Sequence, residues 1–443
     1  MSKHIQWLME QIEVWVARGL ISREQADGIR RLYPEPKAGL PWGAIIFSGI
    51  GAVILGLGVI LLFAYNWEAM PKAAKLAVIF AALAGAHGTG LALFRCDDWR
   101  RQIGEAVCLL GTMLFGAGIW LVAQVYHIDE HYPNGFLIWG LGAMAMAWAM
   151  PSLSQGLLAV VVLCIWNCSE AWHFRAATHW GPLLMLAGLG VLAWRQQWRL
   201  LLFVTLAGFV IALTANAESV RGSVAILAVL NAAAVFLAVE VLVRRYRWFP
   251  ESAKVWAAVG WAAFLICLFI LTFASETRHL TREVDLEETS EALAWHVYRW
   301  LPLATAMLAW GLVGFGWLAR RGAERAADCP YEHWLVPLAA AACAAFRFVD
   351  VEYDQRWVIG SPFNLLALTL AAAWMARGCR DARLLPTVAG SLLLVALAWA
   401  RYFDLFESLL ARGVVFVLVG GLLLAEGIIY SRVRRRIQKE AGA

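Results

Sequence analysis

The chain has 443 residues, 61% of them hydrophobic and 16% charged, with a mean hydropathy of +0.65. Soluble domains carry about a quarter charged residues, so a water-soluble globule is excluded and a bilayer is the expected solvent. The net charge of +5 argues little until its distribution along the chain is read. Abundant glycine (37) and tryptophan (24) fit close helix approach and anchoring at the membrane interface. The eight cysteines form no CxxC pair, so neither a disulfide framework nor a zinc motif is expected.

Residues 1–38 differ in character from the rest of the chain. Ile5, Leu8, Ile12 and Val16 recur at helical spacing, Gly19 stops the run, and Ser22 with Gln25 forms a capping-box signature for a second helix that ends before Pro34. The pattern predicts a small cytoplasmic amphipathic hairpin that lies on the membrane surface or against cytoplasmic loops. From Trp42 onward, apolar runs occupy 42–64, 72–94, 104–125, 135–150, 154–170, 180–194, 199–216, 222–243, 254–274, 298–318, 332–347, 360–376, 384–400 and 413–430. A bilayer core needs about 20 helical residues to span it. The expected fold is therefore all-α: a polytopic bundle of about fourteen transmembrane helices within 39–431, built from serial hairpins, with a basic cytoplasmic tail at 432–443.

Charge supports that count. If the amino terminus is cytoplasmic, the loops after even-numbered spans plus both tails hold 26 of the 37 Lys and Arg residues, as the positive-inside rule requires. Arg195/Arg199, Arg244/Arg245/Arg247, Arg320/Arg321/Arg325, Arg377/Arg380/Arg383 and Arg432/Arg434/Arg435/Arg436 all fall in phase. A bacterial inner membrane with both termini in the cytoplasm is the predicted location.

Odd-numbered spans leave the membrane outward through aromatic-plus-polar motifs. These are Tyr65-Asn66-Trp67-Glu68, Gln124 to His131, Trp166-Asn167 through Glu170 and His173, Asn216 with Glu218, Glu276 with His279, Arg347 to Asp350, and Arg401 to Asp404. The hairpin GLISREQADGIRRLYP, the span ending LLFAYNWEAMPKAAKLA and the stretch AQVYHIDEHYPNGFLIWGLGA resemble a family of bacterial membrane proteins, domain of unknown function 2157. The resemblance covers about residues 10–150, and the late RYFDLFESLLARGVVFVLVGGLLLA is similar to the tail of such proteins. It implies a multi-span inner-membrane protein, and it supplies no catalytic residue and no cofactor.

The exit motifs supply the candidate ligand-binding residues: Tyr65, Asn66, Glu68, Gln124, Tyr126, His127, Asp129, Arg347, Asp350, Arg401 and Asp404. If the odd spans converge, these groups form an outward-facing polar vestibule with Arg–Asp pairs neutralising each other; the competing explanation is that each pair pins a helix end. His127, Asp129 and His131, with Glu170 or His173, have metal-ligand chemistry, but the wet end of a helix explains them better, and no metal, cofactor or catalytic residue is assigned. Within the spans, the candidates for a polar relay are His87, Asn231, Glu240 and Glu426; Glu240 and Glu426 are expected to reach toward basic clusters. The acidic loop at 275–297 reads as a solvated face. No P-loop, catalytic triad or nucleic-acid motif is present. Binding or transport of a small solute or lipid at the outer cavity is the leading expectation. The alternatives are a scaffold or envelope-stress component acting through residues 1–38 on a cytoplasmic protein partner, and a membrane enzyme using His127, Asp129 and Glu68.

Overall fold

The computed structural model describes residues 11–32, 70–96, 99–128, 131–176, 178–220, 222–273, 289–318, 329–345, 356–404 and 409–441. Two compact units divide at Val78/Ile79. In the first, residues 11–17 form α1 and Arg23–Leu32 form α2. The capping box forms as its sequence signature predicts: Ser22 N–H donates to Gln25 Oε1 at 2.9 Å, and Gln25 N–H donates to Ser22 Oγ at 3.2 Å. Ile12 and Ala26 are buried between otherwise exposed faces, and Gly19 takes a φ of +70° to turn the chain.

The division falls within α3 (Lys72–Phe94), and the second unit goes on through α4 (Trp99–Tyr126), α5 (Pro133–Ala149), α6 (Leu153–His173), α7 (Gly181–Arg195), α8 (Arg199–Val220), α9 (Gly222–Tyr246), α10 (Ala253–Leu271), α11 (Thr289–Leu318), α12 (Leu335–Ala345), α13 (Arg356–Arg380), α14 (Leu384–Asp404) and α15 (Leu409–Ala441). No strand occurs among the described residues. Each apolar run from 72–94 onward falls on one of these helices, and the run at 42–64 lies outside the described residues. Among the described residues, seven helices (α3, α4, α6, α8, α9, α10 and α11) contain segments long and apolar enough to cross a bilayer. Others are shorter for visible reasons. Residues Leu186–Gly190 inside α7 wind as a π-turn, and Tyr331–Trp334 ahead of α12 wind as a 3-10 turn.

The helix α9 is the centre of this unit. Its most apolar window is 78% buried, against 11% for α3 and 17% for α11. One face, with Ala225, Ala228, Ala232 and Phe236, joins a core shared with α5, α6, α7 and α8. The other, with Leu230, Ala233, Leu237 and Val241, joins a core built with α10, α11, α12, α13 and α14. Lipid tails are as apolar as a protein core, so helices gain from association mainly by close contact at small residues, and the alanines of α9 provide that contact on both sides.

Tryptophan does more than anchor. Trp139 donates its indole N–H to the Thr112 carbonyl at 2.9 Å, Trp148 to Gly188 at 2.9 Å and Trp310 to Ala234 at 2.9 Å. Gly188 sits in the π-turn of α7, where a widened helix exposes a carbonyl to an outside donor. Glycines make room for rings: a Cβ on Gly116 would collide with Trp139 and one on Gly135 with Trp120. Between α3 and α4 the approach is backbone to backbone, since a Cβ on Gly104 would lie 2.5 Å from Phe94 N and 2.6 Å from Gly90 O. Because neither atom is a side chain that can turn away, Gly104→Ala is expected to separate α3 from α4 and cost about 1–3 kcal/mol. A lowered thermal unfolding temperature in detergent is the measurement; an unchanged one would refute the close approach.

Candidate functional site

The stretch opened by Gln124 closes α4 and starts α5. His127 ends α4 with a φ of +55°, a left-handed position that histidine tolerates better than most residues. Ile128 N–H then returns to the Ala123 carbonyl at 2.9 Å, satisfying one of the carbonyls a helix end leaves open. Pro133 opens α5, where its missing N–H is harmless. Gln124, Tyr126 and His127 are exposed, so the first two do not face into a polar bundle interior. Tyr65, Asn66, Glu68, Asp129, Arg347 and Asp350 lie outside the described residues. Arg401 and Asp404 fall in the last turn of α14, where the helix is described but not their side chains.

The turn between α4 and α5 borders a cavity of about 810 Å³. Its walls are Ile79, Phe80 and Leu83 of α3, Phe115, Ile119, Trp120, Val122 and Ala123 of α4, and Gly135, Phe136 and Ile138 of α5, while His131, Tyr132 and Asn134 supply its polar lining. Phe80, Ile128, Tyr132 and Ile138 are exposed, so the cavity is open at its rim. Its size is in the range of ligand pockets, about 300–1,000 Å³.

Behind the polar edge stands a buried scaffold. His131 Nε2 lies 2.7 Å from Glu170 Oε2, and Trp166 donates to Glu170 Oε1 at 3.3 Å. The His131 ring packs edge-on against Phe174 with centroids 4.0 Å apart. One turn deeper, Asn167 Oδ1 accepts from Asn216 Nδ2 at 2.9 Å and from Thr178 Oγ1 at 3.0 Å, and Thr178 N–H donates to Asn216 Oδ1 at 2.6 Å. Both asparagines are fully buried. Gly181 is required beside them, because a Cβ there would strike the Asn167 amide. Trp172 donates to Glu218 at 3.2 Å on the same end of α6 and α8. These exit motifs from the α4–α5 turn, α6 and α8 therefore do converge, and what they form directly is interhelical adhesive. His131 and Glu170 meet as a pair; among the described residues no group of three or more His, Cys, Asp or Glu side chains has metal-site geometry.

Polar groups at the opposite helix ends make a separate set. Ser152 and Ser154 donate to Glu105 Oε1 at 2.6 and 3.1 Å, and Arg199 pairs with Glu251 at 3.1 Å. Glu240 meets the neighbouring basic cluster, as expected, but does so from inside the bundle. It is completely buried on α9, Arg244 folds back one turn to pair with it, and His333 Nε2 lies 3.2 Å from its other oxygen. Glu332, also buried, pairs with Arg377, and the His333 ring packs edge-on against Trp261 at 5.2 Å. The run at 332–347 has the composition of a span, and nothing in its order marks Glu332 and His333 as partners of α13 and α9. His87 lies against Gly111, whose Cβ would be 2.7 Å from the ring, and its Nδ1 is buried without a hydrogen-bond partner.

Residues 13–156 match the model of a family described as predicted membrane protein, domain of unknown function 2157, as the amino-terminal motifs implied. The matched segment contains all of the α3–α5 cavity. No curated protein and no solved structure matches the chain. With its many apolar helices, the chain is a multi-span helical membrane protein.

Two substitutions separate the adhesive contacts. Asn216→Ala strands Asn167 and the Thr178 N–H and is expected to cost about 1–3 kcal/mol, read as a lowered denaturation midpoint in mixed micelles. Glu240→Ala is expected in the same range, ~1–3 kcal/mol, rather than the larger loss of a fully buried pair, because the Arg244 side chain is 46% exposed and can turn to water. A midpoint unchanged by either variant would remove that contact from the account.

Proposed function

We propose that the α3–α5 cavity binds an amphiphile, a lipid or a lipid-like solute, with its aliphatic part among Ile79, Leu83, Phe115 and Trp120 and its polar part at His131, Tyr132 and Asn134. The observation that carries this reading is an open cavity of about 810 Å³ with apolar walls and one polar edge. A polar solute would have to leave water for hydrocarbon-like walls at a cost of several kcal/mol per unsatisfied group, so this cavity favours an amphiphile over a fully polar solute. The His131–Glu170 contact fixes the polar edge and leaves the second imidazole nitrogen for a headgroup oxygen or a phosphate. The cavity lies in the region of the family match, which fits a role shared with other members.

An orientation goes with this reading. The polar edge faces the periplasm of a bacterial inner membrane and both termini are cytoplasmic, which the excess of arginine on the opposite loops supports. Binding at the periplasmic leaflet would then serve either passage of the amphiphile or its presentation to a partner.

The test is photolabelling of the purified full-length chain in nanodiscs with a diazirine-bearing phospholipid, followed by peptide mapping. Label is expected to concentrate on residues 115–138, and Ala123→Phe, which fills the cavity, is expected to reduce it at least fivefold. Val161→Phe on the exposed face of α6 serves as the control and is expected to leave labelling unchanged. Uniform labelling of all lipid-facing helices, or no response to Ala123→Phe in a protein of normal stability, overturns the proposal.

A further inference from the structure

A second cavity, of about 400 Å³, lies between α13 and α15, remote in sequence from the first. Its walls are mostly apolar, with Met375 from α13 and Leu422 and Ile429 from α15. One carboxyl group lines it. Glu426 is 7% exposed, and its Oε1 is buried with no hydrogen-bond partner.

The surroundings of Glu426 leave it under-satisfied. Ser391 Oγ of α14 is 2.6 Å from Oε2, yet the same oxygen is 2.9 Å from the Thr387 carbonyl. A hydroxyl has a single hydrogen, so an ionised Glu426 receives at most one donor, where buried carboxylates ordinarily take several. Arg380 lines the cavity, but its Nε is engaged by Asp381 Oδ1 at 3.3 Å and its side chain is 81% exposed. Cys379 contacts the backbone carbonyl of Glu426, at 3.9 Å, and the Tyr430 hydroxyl donates to the Ala382 carbonyl at 3.4 Å. None of these groups answers Oε1.

We propose that the α13–α15 cavity binds an amphiphilic amine, with the ammonium on Glu426 Oε1 and the aliphatic chain against Met375, Leu422 and Ile429. The chemistry selects the class. A hard cation such as calcium or magnesium needs about six oxygen ligands and zinc about four of nitrogen, sulfur or oxygen, whereas the walls offer one carboxyl group and one thiol. An anion is repelled, and a neutral alcohol leaves the charge uncompensated. A primary ammonium supplies both the positive charge and N–H donors, and charge-assisted bonds of this kind are roughly twice as strong as neutral ones. This site is independent of the lipid cavity proposed above, with which it shares no residue.

Isothermal titration of the full-length chain in maltoside micelles with octylammonium tests it, with octanol and octyltrimethylammonium as comparison ligands. Saturable binding of octylammonium is expected, at least tenfold tighter than either comparison ligand. Glu426→Gln keeps the shape and a contact to Ser391 but removes the charge, and is expected to weaken octylammonium at least tenfold. Ala376→Leu fills the cavity without touching the carboxyl group and is expected to do the same, which keeps the test decisive if the first variant is recovered unfolded. Ala123→Phe, in the other cavity, is expected to leave amine binding intact, so failure here and failure of the lipid reading are distinguishable. Equal heats for wild type, Glu426→Gln and Ala376→Leu, or no saturable binding to wild type, overturn the proposal.

Discussion

A bilayer offers neither water to an open backbone group nor a hydrophobic gain to two helices that meet, and this constraint shapes the whole molecule. Every hydrogen bond along a spanning segment must close within the helix or find a neighbour, and association depends on contact distance. Both demands are visible in α9. Its alanines bring helices close on two faces, and the indole of Trp310 reaches its backbone at Ala234. The same logic explains the α3–α4 contact at Gly104, where two backbones touch, and the π-turn of α7, whose open carbonyl at Gly188 is taken by Trp148.

Buried polar groups obey the same constraint with opposite consequences at the two ends. Asn167, Thr178 and Asn216 satisfy one another almost completely, and such a knot fixes the register of α6 against α8. Glu240, His333 and Arg244 do likewise around α9, with an arginine that keeps part of its guanidinium in water. Glu426 departs from this pattern, since one carboxyl oxygen has no partner. The α3–α5 cavity differs again, because His131 at its polar edge is already braced by Glu170.

The relation between the two cavities rests on chemistry. One is large and open, with His131, Tyr132 and Asn134 at its polar edge; the other is smaller and lined by the carboxyl-bearing Glu426. A membrane protein that handles amphiphiles meets both neutral tails and charged heads, and two sites of unlike polarity in unlike helix pairs fit that task better than one enlarged site.

Much of this was legible in the chain. Hydropathy and run length determined an all-helical membrane bundle and placed the helices from 72 onward closely, because the 20-residue requirement of a bilayer acts on each segment alone. Capping at Ser22 and Gln25 and the polar helix exits at His131, Asn167 and Asn216 were readable for the same reason: they are local. The partners were not. Sequence chemistry grouped His131 with Glu170 only as one option beside His173, and nothing in sequence order joins Glu240 to His333 or Ser391 to Glu426, which are 93 and 35 residues apart. The cavity walls from Ile79 to Ile138 look like any other apolar helix face until neighbouring helices decide which faces meet and which stay apart. Local solvation sets which residues enter the membrane, whereas packing between distant helices sets which of them touch, and a site in a bundle is made only by the second.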